Sequence, residues 1–202
     1  MKLNNKRTIL VGLAFLSICA FWQMYDSIVP LILTKTFHMN ETFSGAIMAA
    51  DNILALFLLP FFGSVSDKSH SKLGKRMPFI LFGTGCAIIL MNILPLLDNS
   101  YAAQPSGFKT ASFVIVLGLL LVAMGTYRAP AVALMPDVTP KPLRSRANAI
   151  INLMGAVGGI LYLGVAAVLY PNSKTAGLDH VNYQPLFIVV SAIMFVAVAV
   201  LF

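Results

Sequence analysis

The sequence predicts an all-α integral membrane protein, a bundle of six spanning helices. Three observations carry that reading. Hydrophobic residues fill 58% of the 202 positions and charged residues only 10%, against about 45–50% and about 25% in ordinary globular domains. Six apolar runs, near 9–33, 43–65, 78–97, 112–136, 147–170 and 185–202, each approach the roughly 20 residues that a helix needs to cross the hydrocarbon core. Outside those runs the lysines and arginines collect unevenly, ten in alternate gaps and three in the others.

The first run follows Lys2, Lys6 and Arg7 and so resembles a secretory signal. Its apolar character continues past Trp22 to Leu33, long enough to span, so a retained helix is expected. Continuous runs this long favour helices over barrel strands, which would alternate with a period of two over about ten residues. The fifth run contains "GAVGGILYLG", with Gly155 and Gly159 at the small-xxx-small spacing of closely packed membrane helices. The sixth breaks off at Phe202 in mid-run, and the chain is expected to be the first half of a longer one. The basic gaps hold Lys2, Lys6 and Arg7, then Lys68, Lys72, Lys75 and Arg76, then Lys141, Arg144 and Arg146. The other gaps hold Lys35, Lys109 and Lys174. Positive charge stays in the cytoplasm, which places the N-terminus there.

The net charge of +7 does not point to nucleic acid, because the cations lie in short gaps and form no continuous basic face. Cys19 and Cys86 sit in separate apolar runs without metal-ligand spacing. His38, His70 and His180 are far apart and read as solvated loop residues. No metal, cofactor or catalytic constellation is expected.

Three charges interrupt the apolar runs, and a charge inside a bilayer is a functional candidate. Asp51 lies about 12 Å into its helix, close to the midplane, and Arg128 about 13 Å from the opposite surface. Asp26 lies nearer the outer face. Gln23 shares a helical face with Asp26, Asn52 follows Asp51, Tyr127 precedes Arg128, and Asn148 and Asn152 share a stripe with Gly155. Such acceptors, donors and flat rings suit a polyhydroxylated solute. Desolvation also favours the protonated form of a buried carboxylate, which suits a proton coupler. Two plainer readings stand beside this one. Arg128 and an acid could form an ion pair that only joins helices, and Asp26 could simply reach water.

The stretch "GSVSDKSHSKLGKRMPFI", residues 63–80, carries Gly63, Asp67, Lys68, Gly74, Lys75 and Arg76. It resembles the signature between helices 2 and 3 of the major facilitator superfamily, in the branch of sucrose transporters and glycoside–cation symporters. "YRAPAVALMPDVTPKPLRSRANAI", residues 127–150, is similar to the helix 4–5 segment of the same branch, through Pro130, Asp137, Arg144 and Arg146. Arg128 precedes Pro130, whereas the plant proteins place an arginine after the matching proline. Helix 2 has Asp51 alone where melibiose-type symporters have paired aspartates, which favours a proton over sodium.

The resemblance implies a twelve-helix fold in which this chain supplies the N-terminal six helices. It implies a secondary transporter in the plasma or inner membrane, moving a disaccharide or glucoside with a proton by alternating access. Asp51, then Asp26, are the coupling candidates, with Arg128, Gln23, Asn52, Tyr127 and Asn152 around the solute. Gly63, Asp67, Lys68, Gly74, Lys75, Arg76, Asp137, Arg144 and Arg146 would form a conformational latch toward the second half. For Lys72 an orientation signal suffices. Transport of a drug or organic acid, and a non-transporting sensor or scaffold, are the alternatives.

Overall fold

A computed structural model describes residues 4–175 and 177–202; Lys2 and the side chain of Lys174 lie outside the described part. Asn4 starts the first helix, its side-chain oxygen accepting the Arg7 N–H at 3.2 Å and satisfying one of the free donors at a helix N-terminus. That helix, α1, runs Asn5–Leu31 and continues as a wider π-turn over Ile32–Thr36. Pro30 lies just ahead of the change; its ring supplies no N–H to the ladder, and the widened turn follows. His38 in the left-handed region (φ 52°) then stops the helix. Asn40 caps the next one through the Thr42 N–H at 2.9 Å.

The remaining long helices are α2 (Glu41–Asp67), α3 (Met77–Ala103), α4 (Gly107–Val138), α5 (Arg144–Leu169) and α6 (Gln184–Leu201). A short 3-10 turn, Lys141–Leu143, precedes α5, and one helical turn, Asn172–Thr175, lies between α5 and α6. All six are long and apolar enough to cross a membrane. Among the described residues no strand occurs. The helices overrun the apolar runs at most ends, most of all at α3, which carries Asp98, Asn99 and Ser100 beyond the expected end at Leu97.

α1 packs on α5, α3 on α4, α6 lies across α1 and α3, and α2 rests mainly on α4. Small residues bring the backbones together. A Cβ on Gly83 would lie 2.7 Å from the Tyr127 backbone nitrogen, and one on Gly158 would lie 2.8 Å from the Leu16 carbonyl carbon. The closest approach in α5 is thus at Gly158; Gly155 faces Cys19, while Gly159 meets only Gln23 at ordinary distance. The core threads through α1, α3, α4 and α6, with Phe37 between Tyr101 and Phe113 at ring distances of 4.3 and 4.7 Å. α2 buries only Ser44 and Ser66 and exposes Phe43, Ile53, Leu56 and Phe57. Large apolar side chains on the outside suit a hydrocarbon surrounding rather than water.

The up-and-down order brings the α2–α3 and α4–α5 connections to one end, the basic end, and the α1–α2, α3–α4 and α5–α6 connections to the other, the far end.

Candidate functional site

Asp51, Arg128 and Trp22 meet at the middle of the bundle. They line a crevice of about 20 Å³ between α1, α2 and α4, closed by Leu54, Leu58 and Gly125. That volume holds about one water. The Arg128 guanidinium lies over the Trp22 ring, 5.4 Å from its centroid. A cation on an indole face is attracted by the ring quadrupole, by about 0.5–2 kcal/mol depending on desolvation. Among the described residues Arg128 has no carboxylate within ion-pair distance. The alternative of a helix-joining ion pair is not what the structure forms.

Three polar atoms around this point are buried without a hydrogen-bond partner among the described residues: Asp51 Oδ1, Trp22 Nε1 and Tyr25 Oη. Trp22 and Tyr25 form an edge-to-face pair at 5.3 Å, so they hold one another. Buried polar atoms are normally satisfied, and orphaned ones ask for a missing partner. One acceptor and two donors left open in one place are the inventory of a site for hydroxyl groups.

The other expected residues are dispersed. Gln23 is half-buried in an open crevice of about 320 Å³ between α1 and α5, with Cys19, Gly155 and Gly159. Asp26, Asn52, Asn148 and Asn152 are exposed on α1, α2 and α5. Tyr127, expected beside the solute, is fully buried instead. Its hydroxyl lies 2.6 Å from Ser17 Oγ and donates to the Ala14 carbonyl at 3.1 Å, clamping α4 to α1. In an α-helix adjacent residues point about 100° apart, and here Arg128 lines the crevice while Tyr127 turns to Ser17 and Ala14. Trp22 and Tyr25 lie beside Gln23 and Asp26 in the sequence, and the structure shows that their polar atoms are the ones left open.

At the basic end Arg76 is the hub. It is 8% exposed and binds Asp67 at 2.5 Å, Asp137 at 2.9 Å and Ser66 Oγ at 2.6 Å, with the Gly63 carbonyl at 3.4 Å. Gly74, at φ 90°, makes the turn that delivers it, a conformation that glycine adopts without a Cβ penalty. Gly63 has no close neighbour and takes part through its carbonyl alone. Lys68, Lys75 and Arg146 are exposed and unpaired among the described residues. Arg144 reaches back to the carbonyls of Pro136 (2.9 Å) and Thr139 (3.3 Å) and caps α4. A cation suits a helix C-terminus. Arg76, Asp67, Asp137 and Lys75 also line an open pocket of about 430 Å³.

Residues 11–202 match the family described as the Major Facilitator Superfamily. Sucrose transport protein SUC3 of Arabidopsis thaliana is 35% identical over 158 residues, 72% of this chain and 26% of that protein. Sucrose transport protein SUT3 of Oryza sativa subsp. indica is 36% identical over 154 residues, 69% of this chain and 30% of its own length. Alpha-ketoglutarate permease of Escherichia coli (strain K12) is 25% identical over 179 residues, 87% of this chain and 38% of its own. The chain therefore spans less than a third of the two plant proteins. No solved structure matches it.

Proposed function

This chain belongs to the Major Facilitator Superfamily, and from that premise we propose that it is the N-terminal six-helix half of a sugar transporter driven by protons. The observation that carries the proposal is the orphaned Asp51 Oδ1 beside Trp22 and Arg128. An acceptor buried without a donor is satisfied when a proton or a sugar hydroxyl arrives. Asp51 is the coupling carboxylate in this reading and Asp26 the second candidate. Arg128, held on Trp22, offers donors to the solute, and Gln23, Asn52 and Asn152 contribute from the surfaces that the second half faces. The identity to proteins named for sucrose transport supports a disaccharide or glucoside as solute.

Alternating access needs contacts that differ in energy between two states. The Arg76 cluster supplies them: its acids are 60% and 46% exposed, so the cluster stays open to partners from a second six-helix half. In this reading the basic end is cytoplasmic, by the ten-to-three division of cations, and the protein resides in the plasma or inner membrane. A solute-independent sensor or scaffold lacks support from the site's open donors and acceptors. An organic acid is favoured only by the match to the permease, and the site offers such an anion one cation, Arg128.

Uptake of radiolabelled sucrose, a β-glucoside and 2-oxoglutarate by cells expressing the complete reading frame, with and without an uncoupler, tests the proposal. Sugar uptake that collapses with the proton gradient is expected, and Asp51→Asn should abolish accumulation while leaving exchange of sugar down its gradient. Uptake of the acid alone, or proton coupling unchanged in D51N, refutes it.

A further inference from the structure

The far end of the bundle holds a second group of ionisable side chains that the solute site does not use. Asp98, near the end of α3, is 0% exposed, and neither carboxylate oxygen accepts a hydrogen bond among the described residues. The group nearest to it in charge is His180, whose Nδ1 lies 3.8 Å from Asp98 Oδ2. His180 belongs to the connection that leads into α6, and it is held on both sides. Thr36 Oγ1, from the π-turn of α1, is 3.2 Å from Nδ1, and Asn99 Oδ1, from α3, is 3.0 Å from Nε2.

The network settles which His180 nitrogen faces Asp98. The backbone N–H of Gln184 donates to Asn182 Oδ1 at 3.0 Å, so that oxygen is an acceptor. Asn99 must then present its Nδ2 to the same oxygen, at 2.9 Å, which turns its own Oδ1 toward His180. An amide oxygen only accepts, so His180 Nε2 carries a hydrogen. Nδ1 is thus the nitrogen left to face the Thr36 hydroxyl and the Asp98 carboxylate. With one proton between them the pair is neutral overall; without it an enclosed carboxylate keeps its charge with only the neutral Thr36 hydroxyl beside it among the described residues.

Among the described residues the other ionisable groups at this end do not supply the missing charge. Lys109, from α4, is spent on the carbonyls of Ser100 (2.8 Å) and Gln104 (2.9 Å). Lys35 on the π-turn and Asp179 beside His180 are exposed. Tyr183, buried at the start of α6, and Tyr170, whose hydroxyl donates to the Asn182 carbonyl at 2.7 Å, carry no positive charge.

We propose that Asp98 and His180 form a second proton-binding site, separate from Asp51, that fastens the α5–α6 connection to the ends of α1 and α3 while it holds one proton. Closing the cluster takes up that proton, so the closed form weakens as pH rises through the range where the proton is lost. One proton per closing event changes the opening equilibrium by up to about tenfold per pH unit. Because the same imidazole holds Thr36, the site governs the far end of the helix that carries Trp22, Gln23 and Asp26.

The test is amide hydrogen exchange of the full-length protein in lipid nanodiscs from about pH 8.5 to about pH 5.5, corrected for the intrinsic chemistry of exchange. Segments 32–39 and 178–187 should gain protection as pH falls, by up to about tenfold per unit. Asp98→Asn, near in shape and uncharged, should keep both segments protected at every pH. His180→Gln should leave them fast-exchanging to more acidic pH than the parent. A flat profile in the parent protein, or a slope in D98N equal to the parent's, overturns the proposal. Exchange within 113–124, in the core of α4, shows whether D98N is folded; if it is not, His180→Gln decides alone, and an unchanged slope there overturns the proposal.

Discussion

A Cβ added to Gly158 of α5 would run into the Leu16 carbonyl oxygen of α1, and this crossing sets a graded test of the helix packing. A Cβ at Gly158 would stand 2.8 Å from the Leu16 carbonyl carbon and 3.0 Å from its Cα. Neither atom can rotate away. To regain a contact distance of about 3.5 Å from the carbonyl carbon the two helices must part by at least about 0.7 Å, and by more to clear the carbonyl oxygen. Overpacking of this kind costs about 1–3 kcal/mol, and the upper end applies where only backbone yields. Alanine in place of glycine returns about 1 kcal/mol of helix propensity. Gly158→Ala should therefore lose about 2 kcal/mol, which by the scaling for 150–250 residues lowers Tm by about 4–8 °C.

The same change at two neighbours should behave differently. At Gly155 the new methyl meets Cys19 Sγ at 2.9 Å, a side-chain atom that can turn aside, and the result should be close to neutral. At Gly159 it meets Gln23 Oε1 at 3.7 Å, an ordinary contact, so the propensity gain survives and Tm should rise by about 2–4 °C. Thermal unfolding of the purified full-length variants in detergent reads all three. A Gly158→Ala protein as stable as Gly159→Ala would refute the assigned crossing of α1 over α5.

Other consequences are separable. Tyr127→Phe removes a hydroxyl that bridges Ser17 and the Ala14 carbonyl; a loss of about 0.5–1.5 kcal/mol in unfolding is expected with solute KM unchanged, and a raised KM would return Tyr127 to the solute site. Trp22→Leu removes the ring under Arg128 while Trp22→Phe keeps a weaker one, so sugar KM should rise roughly 2- to 30-fold in the first and less in the second; equal effects would mean that the ring acts through bulk alone. Arg76→Lys keeps the charge but not the planar fork that reaches Asp67, Asp137 and Ser66 together. With both acids partly exposed the stability loss should stay near about 1 kcal/mol, and the transport rate should fall more than sugar affinity, measured as Vmax against KM; the reverse would place Arg76 in the solute site.

The helices were legible because each apolar run is long enough to span and nothing else satisfies a backbone in hydrocarbon. Their ends were less so. The apolar run of α3 stops at Leu97, yet the helix continues to Ala103, and Asn99 in that extension finds partners in the α5–α6 connection. Charged residues within the runs drew the eye to Asp51 and Arg128, and the structure brings these two to one crevice. Asp67 to Arg76 and Asp137 to Arg146 both span nine positions, a spacing that two acidic-to-basic turns can share by chance. The fold gives both acids to Arg76, because α2 and α4 lie side by side and their ends converge on it.

The sequence alone determined that this chain carries six helices of membrane-spanning length, since hydropathy, length and charge placement are properties of one segment at a time; the family was legible only through the resemblance of the stretches 63–80 and 127–150. Which side chains share a partner was decided only by packing. Trp22 under Arg128, Tyr127 turned to Ser17, and His180 enclosed beside Asp98 join residues 106, 110 and 82 positions apart. Linear spacing constrains which face of its own helix a residue occupies, and it says nothing of which other helix will cover that face. The close approaches at Gly158 and Gly83 bring α1 onto α5 and α3 onto α4.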